Sequence, residues 1–280
     1  IRNNSANLGG GGVRIEPGSV VNIVDSTIRN NSSDLGGGLD SNGTVSMTIS
    51  NSTFSGNTAT FASGGLSNTG TLDLNNSTIS GNSAPFGGGI GNFGTANINS
   101  STISNNTGST IGGLYNVGTT NLKNTIIANS SPGVDCSRVS GSINASYSLI
   151  EEGLGCVDGT NSNNLIGDPQ LLPLANNGGP TQTHALCAGV GLPAGCTGAS
   201  PVYDKGNAFG LTLEQRGTGY PRTVNNPAIA PAAGGDNTDI GAYEIQNTPP
   251  TITPVVGLVR QRGTAVSNST IATVGDAETS

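Results

Sequence analysis

Residues 54–78 read FSGNTATFASGGLSNTGTLDLNNST, and residues 79–102 continue as ISGNSAPFGGGIGNFGTANINSST. The second stretch is a slightly shorter copy of the first, so the chain contains internal repeats. An apolar residue begins each aligned copy, and the spacing between copies shrinks from 27 to 23 residues along the chain. The unit starts are Ile1, Ile28, Phe54, Ile79, Ile103, Ile127 and Ile150.

Within a unit, apolar and polar residues alternate, and glycines recur at the corners. Before Ile79, for example, Leu72 and Leu74 form an alternating pair, and Leu66 directly follows Gly64–Gly65. Alternation with period two predicts a strand with one buried face, while glycine clusters predict tight turns. Three short strands in each unit predict one coil of a parallel β-helix, and the whole pattern predicts an all-β solenoid of about seven coils.

The handedness and the composition narrow this prediction. Crossover connections favour a right-handed path, and neither the hexapeptide repeat of left-handed β-helices nor a leucine-rich frame is present.

Only 33% of the 280 residues are hydrophobic, 4% are aromatic and 10% are charged. Disordered chains carry more charge, so a solenoid with a thin aliphatic core fits this composition better.

The charge balance excludes some partners. A net charge of −7 argues against nucleic acid as a ligand, and no apolar run is long enough to insert into a membrane. Because Ile1 falls inside a repeat, we expect the natural chain to extend further, so the lack of a signal peptide here is uninformative.

The cysteines predict two disulfides. The pairs Cys136–Cys156 and Cys187–Cys196 are each close in sequence, and the first spacing is close to one coil. Disulfides in a polar chain indicate an oxidising, extracellular compartment. Free thiols and a zinc site are the alternatives, although the chain has one histidine and no C-x-x-C pair.

Asparagine recurs three residues after the unit starts, and we predict that these side chains form a ladder along the axis. A stacked asparagine can bond the backbone at a turn and the next asparagine. A polar ligand-binding row is the alternative interpretation. The predicted ladder consists of Asn4, Asn31, Asn57, Asn82 and Asn106.

Two sets of motifs resemble known families. The FSGN, IRNN, ISGN and ISNN unit starts resemble the F-x-x-N repeat of polymorphic outer-membrane proteins. The texts NLIGDPQLLPLANNGGPTQTHAL (164–186), SPVYDKGNA (200–208), EQRGTGYPR (214–222) and DIGAYE (239–244) are similar to the ending of choice-of-anchor Q proteins. The second resemblance covers roughly residues 160–246, implies secretion and cell-surface attachment, and assigns no catalytic residues.

These patterns predict four regions. Residues 1–160 are the β-helix repeats, and residues 161–246 continue the helix and cap it irregularly. Residues 247–254 read as a proline-rich linker. Residues 255–280 look like the start of an immunoglobulin-like or cadherin-like module.

The cap region concentrates charge in a chain that is elsewhere almost uncharged. We expect Arg216 or Arg222 to pair with Asp239 or Glu244, which would bring DIGAYE across the last coil and close its open strand edge. Scattered surface charge is the alternative. With this capping role, these residues would be structural and not catalytic.

The sequence contains no convincing catalytic constellation. Asp34 and Asp40 are the nearest approach to a carboxylate pair, and the lone His184 is expected to pack rather than to catalyse. We therefore expect a non-enzymatic, exported cell-surface protein with an adhesive or structural role and without cofactor or metal. Its expected partners are surface glycans, host or neighbouring-cell proteins, or further copies of itself.

Two alternatives remain at this point: a polysaccharide-active lyase or hydrolase, and a subunit of a self-assembling extracellular fibre or sheath. A groove with two carboxylates within about 10 Å would favour the enzyme. A flat lateral face of Asn, Ser and Thr would favour adhesion, and an uncapped end that contacts a neighbour would favour assembly.

Overall fold

The computed structural model describes residues 1–188 and 192–246, together with the backbone of two short strands, Thr251–Pro254 and Ala272–Gly275. Within these residues the protein is all-β, without a helix, and it forms a parallel β-solenoid of about six turns. The predicted fold class is confirmed. The predicted count of about seven coils is one too high, because the seventh unit contributes only short strands before the chain leaves the repeat.

Each turn contributes one strand to each of three parallel sheets. Sheet I contains Val13–Ile15, Leu39–Ser41, Leu66–Asn68, Ile90–Asn92, Ile111–Asn116 and Val134–Arg138. Sheet II contains Val20–Val24, Ser46–Ser50, Thr71–Asn75, Thr95–Asn99, Thr119–Lys123, Ser142–Ser146 and Asn161–Ser162. Sheet III contains Thr27–Arg29, Thr53–Ser55, Thr78–Ser80, Thr102–Ser104, Ile126–Ala128 and Leu149–Ile150. A small two-stranded sheet, Ser32–Leu35 with Thr58–Ala62, lies in the turn between sheets III and I.

The core lies between the three sheets and follows the predicted register. In sheet III, Phe54 pairs with Ile28 and with Ile79, and all three side chains are buried. Ile103, Ile127 and Ile150 extend the same stack. Equivalent residues therefore face the inside in every turn, as period-two alternation requires. Ile1, at the end of the stack, is exposed.

The corner between sheets II and III has a constant length. Core positions Val21 and Ile28, Met47 and Phe54, and Leu72 and Ile79 are each separated by seven residues. One residue in this corner adopts a left-handed conformation in every turn, which short polar side chains tolerate better than others. These residues are Asp25, Asn51, Asn76, Ser100, Asn124 and Tyr147.

The last turn is closed by the segment that follows it directly. After Ile150, residues Leu154, Cys156 and Val157 fold against the end of the core. Leu165 then forms an isolated bridge with Leu149. The terminal core is thereby covered with apolar side chains, which stabilise it as a capping element does in other solenoids.

The irregular region after residue 165 runs back along the outside of sheet III. Gln182 accepts a hydrogen bond through its backbone oxygen from Thr53 Oγ1 at 2.6 Å, and Ala242 N donates to Thr102 Oγ1 at 3.0 Å. Farther along the axis, Asn124 Nδ2 donates to the backbone oxygen of Asp239 at 2.9 Å. Sheet III is consequently buried on both faces. A second apolar cluster forms at this contact from Ile126, Ala128, Leu149, Leu186, Val202, Tyr203, Ile240 and Ile245.

The two predicted regions after residue 246 lie almost wholly outside the described residues. Only the backbone of Thr251–Pro254 and Ala272–Gly275 is described there, and these strands pair antiparallel. The proline-rich linker and the immunoglobulin-like or cadherin-like module therefore stay predictions.

Candidate functional site

The predicted asparagine ladder is present and lies inside the corner that follows sheet III. Asn31 Nδ2 donates to Asn57 Oδ1 at 3.0 Å, and Asn57 Nδ2 donates to Asn82 Oδ1 at 2.9 Å. Asn4 and Asn106 extend the row in both directions with 3.0 Å bonds. Each acceptor oxygen also takes a backbone N–H, and all members except Asn4 are buried. The row is therefore structural, and a ligand has no access to it.

Both predicted disulfides are also confirmed. Cys136 and Cys156 are bonded with a Cα–Cα distance of 6.0 Å, and Cys187 and Cys196 with 5.7 Å. Cys156 packs into the core of the last turn, so the first bond fastens the closing segment to sheet I.

One of the expected arginine–carboxylate pairs forms. Arg222 Nη1 lies 3.9 Å from Glu244 Oε2 in a fully buried pair. Arg216 instead pairs with Glu214, and its guanidinium stacks between the rings of Tyr220 and Tyr243. Asp239 forms no salt bridge with an arginine among the described residues, although the charge of Arg222 acts on it; its oxygens accept the backbone N–H groups of Asp204 and Ile245 at 2.8 Å.

The location of this cluster corrects the prediction that it closes the last coil. Arg222 Nη2 donates to Asn76 Oδ1 at 2.7 Å, and Asn76 lies in the middle of the solenoid. Gln215 joins the same contact, since its Nε2 donates to Thr53 Oγ1 at 3.0 Å. The cluster therefore fastens the returning chain to the flank of sheet III. The end of the solenoid is closed by Leu154, Cys156 and Val157 instead.

Burial perturbs the acids of this cluster. It raises the pKa of Asp239 to about 8 and that of Asp204 to about 6, and it raises the pKa of Glu244 as well. The nearby Arg222 lowers the pKa of Glu244 by a smaller amount than burial raises it. These carboxyls are buried in the folded protein, so their pKa shifts bear on its stability.

His184 has a packing role, as expected. It is buried between the returning chain and sheet III, where its Nε2 lies 2.8 Å from Ser80 Oγ and its Nδ1 lies 2.7 Å from the Leu172 oxygen. Burial lowers its pKa. The imidazole therefore connects two parts of the chain in its neutral form.

Sheet II presents an open surface of small polar side chains, here called the polar face. Three columns of outward side chains run across five strands. The columns are Ser46, Thr71, Thr95, Thr119 and Ser142; Thr48, Asp73, Asn97, Asn121 and Asn144; and Ser50, Asn75, Asn99, Lys123 and Ser146. They repeat at the strand spacing of about 4.8 Å.

The middle column of the polar face is ordered by its own hydrogen bonds. Asn97 Nδ2 donates to Asp73 Oδ1 at 2.8 Å, Asn121 Nδ2 to Asn97 Oδ1 at 2.8 Å, and Asn144 Nδ2 to Asn121 Oδ1 at 2.9 Å. A depression of about 500 Å³ follows this column and the next. This outer ladder was not predicted, although its asparagines recur at the same position in successive units.

A second open site, here called the aromatic groove, crosses sheet I in the early turns. It has a volume of about 880 Å³. Its floor is formed by Arg14, Asp40, Ser41 and Ser67. Its two walls are Leu8, Asp34, Thr60 and Phe61 on one side and Asn42, Thr69 and Phe93 on the other.

The Phe93 ring lies beside Gly91 on the outer surface of sheet I. A Cβ on Gly91 would overlap Ser63 Oγ and lie 3.3 Å from Phe93 Cε2, so both side chains occupy the space above this glycine. The Phe93 ring contacts Tyr115 edge-on, with 5.8 Å between the centroids. Phe61, across the groove, is 64% exposed and Phe93 is 39% exposed. Neither ring was predicted to belong to a site.

The two carboxylates considered in the sequence analysis both line the aromatic groove. Asp34 is exposed and accepts a bond from Thr60 Oγ1 at 2.8 Å. The Asp40 side chain is only 10% exposed and lies 4.0 Å from Arg14 Nη1, while Arg14 Nε is bonded to Glu16 at 2.9 Å. Burial raises the pKa of Asp40, and a bond from Ser67 opposes this shift.

A further acidic cluster lies beside the last turns. Glu151 accepts the backbone N–H of Asn129 at 2.6 Å, and Glu152 accepts that of Asp135 at 3.2 Å. Asp135 is buried, which raises its pKa to about 6. The carboxylates thus hold a loop in place. Among the described residues, no group of three or more His, Cys, Asp or Glu side chains is arranged to hold a metal ion.

No helix in the described part of the chain has the length and apolar character needed to cross a membrane.

No family model matches the chain, and neither a curated protein nor a solved structure is significantly similar to it. The resemblance to choice-of-anchor Q proteins therefore stays a prediction that rests on the motifs of residues 160–246 alone.

Proposed function

We propose that this chain is a non-catalytic, exported module that adheres to surfaces through the polar face. The supporting observation is the broad outer surface of sheet II, whose small hydroxyl and amide side chains repeat from strand to strand. The ladder through Asn97 and Asn121 holds these groups in register before any ligand binds. Such pre-ordering lowers the entropic cost of binding a periodic polar surface.

An extracellular location fits the chemistry of the chain. Two disulfides are formed, and such bonds persist in oxidising compartments. Attachment to the cell surface is the further role that the choice-of-anchor Q resemblance implies, and it belongs to this proposal.

The test is retention of the labelled chain on insoluble cellulose, chitin, bacterial cell-wall sacculi and immobilised collagen. The double variant Asn97→Lys and Asn121→Lys places two long cations in the middle column of the polar face. We expect it to lower retention on the preferred surface by about tenfold, equivalent to ~1.4 kcal/mol.

The matched control is Val139→Lys with Ile166→Lys, which adds the same charge at two exposed positions outside the three columns of the polar face. This control should retain wild-type binding. Equal losses in both double variants, or no retention of the wild type on any of the four surfaces, would refute adhesion through the polar face.

One observation favours a second candidate function, cleavage of a polysaccharide. Asp34 and Asp40 line the same groove, and burial raises the pKa of Asp40, as a general acid requires. However, Asp40 is nearly enclosed and already has Arg14 and Ser67 as partners, so binding without turnover is the better-supported function.

Incubation with pectin, alginate and neutral polysaccharides distinguishes the two functions. We expect no release of reducing ends or unsaturated products, because the groove has no free cation to hold a uronate. Product release that is abolished by Asp34→Asn or Asp40→Asn would establish the enzymatic alternative.

A further inference from the structure

The aromatic groove has features that the adhesive role of the polar face does not use. The chain contains only five phenylalanines, and Phe61, Phe86 and Phe93 are exposed on the flank of sheet I. Isolated exposed apolar residues are ordinary, but clustered rings beside a groove mark a binding surface. The exposed rings that line the groove are Phe61 and Phe93, which lie in its opposite walls.

The shape of the groove suits a ligand with flat rings. Its volume of about 880 Å³ lies within the usual range of about 300–1,000 Å³ for small-molecule sites. The floor between the two phenylalanines consists of polar side chains, with Ser41 and Ser67 beside Arg14 and Asp40. A ring that packs on Phe61 or Phe93 would therefore place its edge groups over hydrogen-bonding partners.

The carboxylates that line the groove, Asp34 and Asp40, are hydrogen-bond acceptors when ionised. Asp34 accepts one hydrogen bond from Thr60 at 2.8 Å, whereas a carboxylate can accept about four. A ligand rich in hydroxyl groups supplies the matching donors. Sugar rings combine such hydroxyls with apolar C–H faces, which pack on aromatic rings through the same contacts that drive other aromatic burial.

The charge of the groove selects among sugars. Arg14 is the one cation among its lining residues, and Arg14 is already bonded to Glu16 at 2.9 Å and lies 4.0 Å from Asp40. The chain as a whole carries a net charge of −7. Uronates and sulfated sugars would therefore be repelled, while an uncharged chain would meet no such penalty.

From these observations we propose that the aromatic groove binds a neutral saccharide chain, with sugar rings packed on Phe61 and Phe93 and hydroxyls bonded to Asp34. This goes beyond the proposed adhesive function, because the groove lies on sheet I and the polar face on sheet II. The two sites can therefore succeed or fail independently.

The experiment is calorimetric titration of the full chain with hexasaccharides built from glucose, mannose, xylose and N-acetylglucosamine, and with hexagalacturonate. We expect binding of at least one neutral hexasaccharide and at least tenfold weaker binding of hexagalacturonate. Phe61→Ala and Phe93→Ala should each weaken the neutral ligand by about tenfold, the order expected for one lost ring contact.

Phe86→Ala is the matched control. Phe86 is 38% exposed, as Phe93 is 39% exposed, and both rings contact Tyr115, at 5.9 and 5.8 Å, but Phe86 does not line the groove. This variant should bind within twofold of the wild type, and thermal unfolding will verify that all three variants fold. Failure of every neutral hexasaccharide to bind, tighter binding of hexagalacturonate, or an equal loss in Phe86→Ala would overturn the proposal.

The polar-face variant Asn97→Lys with Asn121→Lys separates this proposal from the adhesive function. It should keep the hexasaccharide affinity of the wild type while losing surface retention. If it lost hexasaccharide binding while Phe61→Ala and Phe93→Ala kept it, the saccharide site would lie on sheet II and the groove proposal would be wrong.

Discussion

At the scale of single residues, asparagine has three distinct structural roles, which its position in the turn decides. Asn82 lies in the inner ladder, where the oxygen and the nitrogen of its side-chain amide are both hydrogen-bonded and buried. Asn76 adopts a left-handed conformation at a corner, with a φ of 45°. Asn97 stands on the outside of sheet II and belongs to the outer ladder. Hydrogen bonds of the asparagine amide thus stabilise a chain whose apolar core is thin.

The inner and outer ladders should differ in their contribution to stability. Asn82 Oδ1 accepts from the backbone and side chain of Asn57, and its Nδ2 donates to the Phe54 oxygen and to Asn106. Asn82→Ala leaves several buried groups unpaired, so we expect the free energy of unfolding to fall by about 2–4 kcal/mol. Urea denaturation measures this loss.

Asn97→Ala is the control for that measurement. Water can replace its hydrogen bonds because Asn97 is partly exposed, so we expect a loss of about 1 kcal/mol or less. Equal losses for Asn82→Ala and Asn97→Ala would mean that burial does not determine how much a ladder contributes to the free energy of unfolding.

At the scale of elements, the strands were predictable from the sequence, whereas the path of residues 166–246 was not. Alternation placed Leu72, Leu74 and Ile79 in the core because a buried strand face needs period two. The contact of Arg222 with Asn76 joins residues 146 positions apart, and no local pattern encodes such a distance. The pairing of Arg222 with Glu244 could be predicted from their charges. Their location on the flank of sheet III could not, for the same reason.

The candidate sites were less predictable than the strands. Asp34 and Asp40 could be noticed as acids near one turn, but their common groove depends on strands from several turns. Phe61 and Phe93 lie in different units and approach the groove from different corners, so neither ring stands out in a single repeat.

The disulfide at the last turn should stabilise the closing segment. Cys136 and Cys156 are separated by 20 residues, for which loop-closure entropy predicts about 3 kcal/mol of stabilisation. For Cys136→Ala with Cys156→Ala, we expect urea denaturation to show a free energy of unfolding lower by this amount. Because the bond holds residues 151–158 against the core, we also expect new proteolytic cleavage within this segment.

Cys187→Ala with Cys196→Ala removes a bond between residues nine apart on the flank. This variant should leave residues 151–158 protected. Cleavage in that segment in both double variants would show that the closing segment does not depend on its own disulfide.

At the scale of the whole molecule, the three sheets have different surroundings. Sheet III is covered by the returning chain, while the described residues leave the outer surfaces of sheets I and II open. The returning chain contains buried carboxyl groups. Asp204, Asp239 and Glu244 all have raised pKa values because burial disfavours their ionised forms. The stability of the molecule should therefore depend on pH.

The sign of this dependence follows from linkage. The folded protein holds protons that the unfolded chain, with ordinary carboxyl pKa values near 4, releases. The stabilisation is thus fully present below about pH 4 and is lost as the pH rises through 6 and towards 8, the folded pKa values of Asp204 and Asp239. We expect the Tm to fall between pH 5 and pH 8.5 in calorimetric scans.

Asp204→Asn tests this explanation, because it removes one buried charge whose repulsion also raises the pKa of Asp239. It should raise the Tm at pH 8 and change it little at pH 5. Asp25→Asn is the control, since Asp25 is exposed and shares a left-handed φ, 49° against 54° for Asp204. A flat profile in the wild type, or the same gain in Asp25→Asn, would contradict the assignment.

The unequal corners of the solenoid have a consequence for how such a protein can diversify. The corner between sheets II and III keeps its seven-residue length, and the returning chain covers the adjoining sheet. The other two corners vary: Leu39 to Met47 spans eight residues but Leu66 to Leu72 spans six. Those variable corners carry Phe61 and Phe93, the walls of the groove. Insertions and deletions in those corners would therefore change the walls of the groove, while the same changes in the constant corner would disturb the sheet that the returning chain covers.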